Sequence, residues 1–410
     1  MNNSPLPPDE ARALIFNRVA PLDFETLPHA AVLGRVLARD VVSPLDLPPF
    51  PNSAMDGFAL IAADLENAPQ GLRLVETIGA GEVAAHSVER GTCIKIMTGA
   101  PLPEGADCVV MREETRELDS WITFAEAAHA GQHVRPRGDD VRMGETVLGR
   151  GTVVSAAGHA MLASLGCAQV EVFRRPRVGI VATGKELVDV DAPLQPGQIR
   201  DSNSWALRAL VESCGAEVVS VHRTGDEPRE VEAVLRALAP SVDCILTSGG
   251  VSAGDFDPVR DVLLQHAQVH FWKVAMKPGK PLMFASLDDT PVFALPGNPV
   301  SVMVGFEEFA RPALFQMGGR RAWKRIEVEA RLQSDLHSPK GRTEFVRALL
   351  KRGEDGFLAI GTGDQGSGRL SSMVRANALL EISSDTTFLP AGSSVRAKLL
   401  DDAAFEIGAL

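Results

Sequence analysis

Residues 243–252 read DCILTSGGVS, and the fold turns on how this stretch is understood. Its apolar run is short for a helix and long enough for one buried strand, and it stops at a Ser-Gly-Gly turn. Working back from it, residues 228–238 predict a helix and 217–222 a strand. Before these, 204–214 predict a helix closed by Gly215, and 177–182 another strand. Working forward, 258–266 predict a helix, 269–274, 282–285 and 292–295 strands, and 299–314 a last helix. Strand and helix alternating in this way describe a central open, mostly parallel α/β sheet.

The flanking sequence follows other rules. Residues 9–19 fit a short amphipathic helix, with Ala11, Leu14, Ile15 and Val19 on one side. The proline-dense stretch 44–51 cannot be a continuous helix. From about residue 71 to 151, short apolar runs such as 93–97 and 108–111 are broken by glycine and proline, the pattern of a strand-rich module. Residues 153–166 predict a helix leading into a strand at 168–173. After residue 325 short strands return at 326–330, 345–350, 379–382 and 394–399, and they predict a small all-β domain.

With 410 residues, the chain is long enough for two to four domains, and 45% hydrophobic against 23% charged residues is an ordinary globular balance. A formal charge of −12 argues against nonspecific nucleic-acid binding, which needs basic surface. Cys93, Cys108, Cys167, Cys214 and Cys244 form no C-x-x-C pair, and four of them lie in apolar stretches. Buried free thiols are expected, with no zinc site. Neither a signal peptide nor a membrane span is legible, so a cytoplasmic protein is expected.

In an open α/β sheet, ligands bind at the carboxyl ends of the strands. Five predicted strands end in polar loops: Thr183-Gly184-Lys185-Glu186, Thr224-Gly225-Asp226, Ser248-Gly249-Gly250-Val251-Ser252 with Asp255 and Asp257 beyond, 273–280 (KVAMKPGK), and Pro296-Gly297-Asn298-Pro299. Glycines at 249 and 250 permit close approach of backbone N–H groups to an anion. Asn298 before Pro299 has the form of a helix N-cap, another anion-favouring element. Lys273, Lys277 and Lys280 supply positive charge for phosphate or an oxyanion. Glu186, Asp226 and Asp257 supply hard oxygen ligands of the kind magnesium takes alongside substrate phosphates. Each loop has a plainer reading alone: KPGKP as a solvated turn, Asp226 as a cap for the helix near Pro228. His266 and His270 straddle a helix end and a strand start, which disfavours a metal role. Five such loops on one edge point instead to a metal-assisted phosphate site.

These residues resemble a known family. Ser248-Gly249-Gly250-Val251-Ser252, residues 273–281 and Pro296-Gly297-Asn298-Pro299-Val300-Ser301 look like the molybdopterin-binding domain shared by MoeA, gephyrin and the small molybdopterin adenylyltransferases. Residues 52–59 (NSAMDGFA), 96–101 (IMTGAP) and 137–141 (RGDDV) resemble motifs of MoeA and gephyrin, in a half that the small adenylyltransferases lack. The resemblance implies an N-terminal discontinuous linker domain (1–52 and 141–175) around an inserted β-rich domain (53–140). A molybdopterin-binding α/β domain (176–320) and a C-terminal β domain (325–410) follow. It also implies a homodimer with half-sites from different protomers. The implied reaction joins adenylylated molybdopterin and molybdate into molybdenum cofactor, releasing AMP with the help of Mg2+. Transient contact with proteins that make or adenylylate molybdopterin would follow. No nucleic-acid or membrane partner is expected.

Carried over by position, Asp56, Thr98, Asp140, Glu186, Asp226 and Asp257 would be catalytic, with Glu186, Asp226 and Asp257 on the metal. Arg137, Ser248, Gly249, Gly250, Lys273, Lys277, Lys280, Pro296, Asn298, Arg347 and Ser367 would bind substrate. The chain departs from the family at several points. It has no tyrosine: Phe58 stands where tyrosine is common, and Pro258 follows Asp257 where tyrosine is frequent. Lys185 occupies a usually acidic position, and Asp364 and Gly368 flank Gln365-Gly366-Ser367 where histidines are common. Two rival readings remain: an adenylyltransferase built on the same central domain, and a non-catalytic scaffold.

Overall fold

The computed structural model describes residues 4–251, 257–353 and 356–400. Its central sheet contains β1 (Arg177–Thr183), β2 (Glu217–Thr224), β3 (Cys244–Ser248), β4 (Gln268–Trp272), β5 (Met283–Leu287) and β6 (Thr290–Leu295). The order across the sheet is β2-β1-β3-β6-β5-β4. β2, β1, β3 and β6 pair in parallel, and β5 runs antiparallel to both β6 and β4. Only β5 therefore opposes the common direction. Helices α1 (Ser202–Ser213), α2 (Pro228–Leu238) and α3 (Pro258–His266) make the crossovers.

Every residue of β3 is buried, which is why its sequence is apolar without alternation. Successive side chains serve opposite faces. Val178, Ile180, Cys244, Leu246 and Phe293 join α1 residues Leu207 and Val211 in one core. Val181, Ile245, Val292 and Ala294 meet Val231 and Leu235 of α2 in the other. The predicted helix at 299–314 is present as three abutting pieces: an α-helix at Pro299–Gly305, a π-helical turn at Phe306–Ala310 and an α-helix at Arg311–Met317. The wide turn carries Glu307 and Glu308 into the interior. There Glu308 meets Arg12 and Lys398, and Glu307 meets Arg311 and Arg325.

In the C-terminal region, strands Thr343–Gly353, Gly356–Gly361, Glu327–Leu332, Ser394–Leu399 and Ala378–Ile382 pair in a closed ring. The interior is small and aliphatic, including Val346, Ala348, Ala359, Leu380 and Ala397. Met276–Lys277, from the loop after β4, adds to this ring by pairing in parallel with Thr343 and Glu344.

The chain divides into two units, Met1–Ala38 with Gly151–Ser155 and Gln169–Leu410, and Arg39–Arg150 with Ala156–Ala168. The first unit holds the helix Pro8–Phe16 and the pair of strands Phe24–Pro28 and Gln169–Phe173, as well as the central sheet and C-terminal ring. The expected linker domain is thus shared out: residues 24–28 and 169–173 belong with the first unit, and the helix Ala156–Ser164 with the second. The second unit is built on a six-stranded sheet, in the order Cys108–Met111, Gly57–Leu60, Thr92–Ile96, Gln70–Ile78, Trp121–Phe124, Thr115–Leu118. Phe58 is fully buried in it, with its ring edge-on to Phe124 at 6.0 Å. The hydroxyl missing at that position is therefore missing from a core.

Candidate functional site

The register of the central sheet brings its strand ends level. Thr183 pairs with Thr224, Ala182 with Ser248, and Ser248 with Leu295. Ala294 pairs with Met283, which pairs in turn with Trp272. All five polar loops consequently leave from one edge. Ser252 and Asp255 lie outside the described residues.

Close backbone packing explains the glycine pair at that edge. Gly249 has φ +92°, and a Cβ there would fall 2.6 Å from the Thr183 carbonyl oxygen and 2.8 Å from its hydroxyl. Any side chain would push β1 and β3 apart at their ends. Asn203, at the start of α1, ties two more loops together: its Nδ2 donates to Ser248 Oγ at 2.8 Å and to the Gly297 carbonyl at 2.7 Å. Pro296 is buried just before it. Sequence reasoning missed Asn203. The helix-start string Asp201-Ser202-Asn203 was its only signal, and Asp201 caps α1 by accepting from the Ser204 N–H at 3.0 Å.

Three lysines emerge from the loop after β4, in three different settings. Lys273 has φ +78° and places its ammonium 4.0 Å from the Trp272 ring centre, a cation–π contact. Lys277 donates to Glu344 Oε1 at 2.7 Å. Lys280 is exposed and has no ion-pair partner among the described residues.

Asn298 does occupy the N-cap position before Pro299, but its side chain makes no capping bond. Its Nδ2 donates to Ser367 Oγ at 2.9 Å, and the Ser367 carbonyl accepts the Val300 N–H at 3.1 Å. Ser367 therefore takes one N–H of this short helix start and the side chain of its N-cap residue. Arg347 also sits differently from expectation. It is 1% exposed, with Nε donating to Ser372 Oγ and a terminal nitrogen to the Gly366 carbonyl. Burial presses its pKa downward, against the raising influence of Glu344 and Asp364. Arg347 holds the loop that carries Ser367 through these bonds. Asp364 shapes the same loop by accepting the Gly366 N–H at 2.8 Å and pairing with Arg369.

Of the carboxylates, Glu186 is half-buried after β1 and lies against Gly184, where a Cβ would come within 2.6 Å of it. Asp226 is half-buried and makes no hydrogen bond or ion pair among the described residues. The N-cap of α2 is Glu227, so Asp226 does not cap that helix. Asp257 is 7% exposed at the N-cap of α3 without capping it, and lies 3.6 Å from Arg260. Among the described residues no three acidic, histidine or cysteine side chains gather into a ligand set. His270 instead bonds Ser286 at 2.9 Å, and His266 lies beside Glu232.

The second unit has its own polar group. Asp56 Oδ1 accepts from both the N–H and the hydroxyl of Thr98, each at 2.7 Å. These two bonds, the backbone one first, hold the Asp56 carboxyl below the usual range. Because its folded pKa is depressed, any stabilising contribution is present above the unfolded value and is lost as pH falls through the folded one. Thr98→Val removes one donor and should move the Asp56 titration back up, as followed by NMR. An unchanged titration would contradict this account. Arg137 donates to Asp46 at 2.6 Å, and Asp46 also accepts the Met143 N–H, so Arg137 is oriented along its own loop. Asp140 is exposed nearby in sequence, its N–H bonded to the Leu47 carbonyl.

Four of the five cysteines are buried, as their apolar surroundings implied. Burial pushes the Cys93 and Cys108 thiols up to about 12 and Cys214 to about 11. Nucleophilic thiolate chemistry has no support from them. No helix among the described residues is long and apolar enough to cross a membrane.

Family profiles match the chain in three collinear blocks. These are the MoeA N-terminal region (domains I and II) at residues 6–166, a probable molybdopterin-binding domain at 179–316, and the MoeA C-terminal region (domain IV) at 329–400. A molybdopterin molybdenumtransferase of Haemophilus influenzae is 36% identical over 391 residues, covering 94% of this chain and 96% of the relative. Molybdopterin molybdenumtransferase 2 of Mycobacterium tuberculosis is 40% identical over 382 residues, covering 90% and 94%. The crystal structure of the molybdopterin biosynthesis moeA protein of Pyrococcus horikoshii superposes with a TM-score of 0.85 at 32% identity, covering 97% of this chain and 100% of that one. From its N-terminal motifs to its C-terminal ring, the chain belongs to the MoeA family of molybdopterin molybdenumtransferases.

Proposed function

We propose that this protein inserts molybdenum into molybdopterin, taking adenylylated molybdopterin and molybdate to molybdenum cofactor with release of AMP in the cytoplasm. The observation that carries this reading is the set of five polar loops on one sheet edge, lysines and carboxylates together. A substrate with a pyrophosphate link and an oxyanion co-substrate calls for both charges. The dithiolene sulfurs that receive the metal belong to the pterin, so the protein needs no thiolate of its own.

Magnesium fits the donor set by chemistry, since Glu186, Asp226 and Asp257 offer only hard oxygens. Among the described residues the three do not gather into one ligand set, so at most one or two of them would hold the ion, with substrate oxygens and water completing its shell. When bound, it would offset the repulsion between acids and phosphates and polarise the bridging phosphate. The protein's own groups do the rest. Lys277 and Lys280 attract the anionic groups, and the Gly249 turn lets backbone approach closely. Asn203 and Ser367 keep the loops on either side in place.

The rival adenylyltransferase reading is separated by its substrates. Supplied with ATP and molybdopterin, this protein should form no adenylylated pterin, and formation of that product would favour the rival. The proposal includes a homodimer in which the Asp56–Thr98 group and the central-sheet loops of a working site come from different protomers. Asp56→Asn and Asp257→Asn proteins, each weak alone, should regain activity in verified mixed dimers. A monomer by light scattering, or mixed dimers without rescue, would sink that part of the proposal.

A further inference from the structure

Glu344 is an unusual neighbour for an anion-binding lysine. It is the second residue of the long strand of the C-terminal ring, is 3% exposed, and accepts from Lys277 Nζ through Oε1 at 2.7 Å. Its other oxygen, Oε2, is buried without a hydrogen-bond partner. Lys277 is its only ion-pair partner among the described residues. The backbone fixes the same meeting, because Lys277 and Glu344 are register partners in a parallel strand pair. The Lys277 side chain remains 38% exposed, and the two residues line a cavity of about 300 Å³ together with Gln365 and His337.

We propose that Glu344 is a positioning residue for the oxyanion substrate: it anchors the Lys277 ammonium so that the C-terminal ring sets the geometry of a loop belonging to the central sheet. A lysine ammonium has three donors. Glu344 takes one and leaves two for a ligand. A long side chain already held in place has less freedom to lose when the anion arrives. The carboxylate can do this without repelling the ligand strongly because the ammonium neutralises it. The inference rests on the molybdenumtransferase reading for the identity of the anion.

The test is a double-mutant cycle on the full-length protein with Glu344→Gln, Lys277→Met and both together, reading KM for molybdate and kcat separately. Glu344→Gln alone should raise KM by about tenfold with kcat within about twofold, and should change KM by less than about twofold once Lys277 is methionine. An equal KM change in both backgrounds, or a loss of kcat with KM unmoved, would overturn the proposal. If Glu344→Gln does not fold, Glu344→Asp replaces it in the same cycle, and additivity there is equally fatal. Calorimetric binding of molybdate alone to the same proteins separates the two readings. A coupled cycle in binding without any turnover would remove the function reading and keep this one. Turnover with additive effects would do the reverse, and a parent that neither binds molybdate nor turns over overturns both.

Discussion

Asp257→Asn is expected to lower magnesium-dependent release of AMP at least about tenfold, a loss of about 1.4 kcal/mol of transition-state stabilisation. Asparagine keeps the shape of a side chain that is 7% exposed but removes its charge and a strong oxygen ligand. Binding of adenylylated molybdopterin without metal should survive or tighten, because one like charge has gone. The same change at Asp226 should act in the same direction. Helix capping cannot account for it, since Glu227 holds the N-cap of α2 and Asp257 makes no capping bond to α3. A magnesium titration of AMP release, with thermal unfolding as control, reads the result. Normal turnover with unchanged magnesium dependence in Asp257→Asn would remove that residue from the metal site.

Lys277→Met is expected to destabilise the protein by roughly 3 kcal/mol, at the low end for breaking a buried ion pair because the lysine is half-buried. The cost comes from Glu344, whose buried carboxylate would lose its ion-pair partner and keep only the coulombic influence of Arg347. Adding Glu344→Gln to Lys277→Met should recover most of the loss. Lys280→Met should behave differently. It should leave stability within about 0.5 kcal/mol, as for other exposed positions, and raise the apparent KM for molybdate or pterin. The rise should correspond to a lost charge-assisted bond of roughly 1.5–3 kcal/mol. Urea unfolding of the four proteins checks the first expectation and steady-state kinetics the second. Equal stability of Lys277→Met and Lys280→Met would contradict the buried-pair account. Unaltered kinetics in Lys280→Met would return Lys280 to a solvated turn.

Much of the central fold is legible because a strand buried on both faces must be apolar along its length, as β3 is, and because polar chemistry begins where each run stops. The five strand-end loops could therefore be found one by one, and the register of the sheet places them on one edge. What depends on distant partners could not be read. Nothing near Glu344 announces that it will meet Lys277, since a single acid within a strand looks like a solvent-facing residue. Arg347 resembles a ligand-binding arginine by type, yet its hydrogen bonds go to Ser372 and Gly366, on the strand face opposite to Val346 and Ala348. Asn298 was legible as an N-cap position from Pro299, while its side-chain bond to Ser367 depends on a loop from another domain. The π-helical turn at Phe306–Ala310 brings Glu307 and Glu308 into an otherwise apolar helix, and their burial depends on Arg311 just after the turn and on Arg12, Lys398 and Arg325 from elsewhere in the chain. Likewise the division of the linker segments between two units is set by long-range packing, whereas the proline and glycine punctuation marks only local chain reversals.

The most direct measurement is the stoichiometry of the proposed reaction with the unaltered protein: adenylylated molybdopterin, molybdate and magnesium are supplied, and AMP released and molybdenum bound to pterin are counted together. Expected is one AMP per molybdenum inserted, with both dependent on molybdate and magnesium. AMP release that proceeds without molybdenum appearing on the pterin, or adenylylated molybdopterin returned intact, would contradict the account.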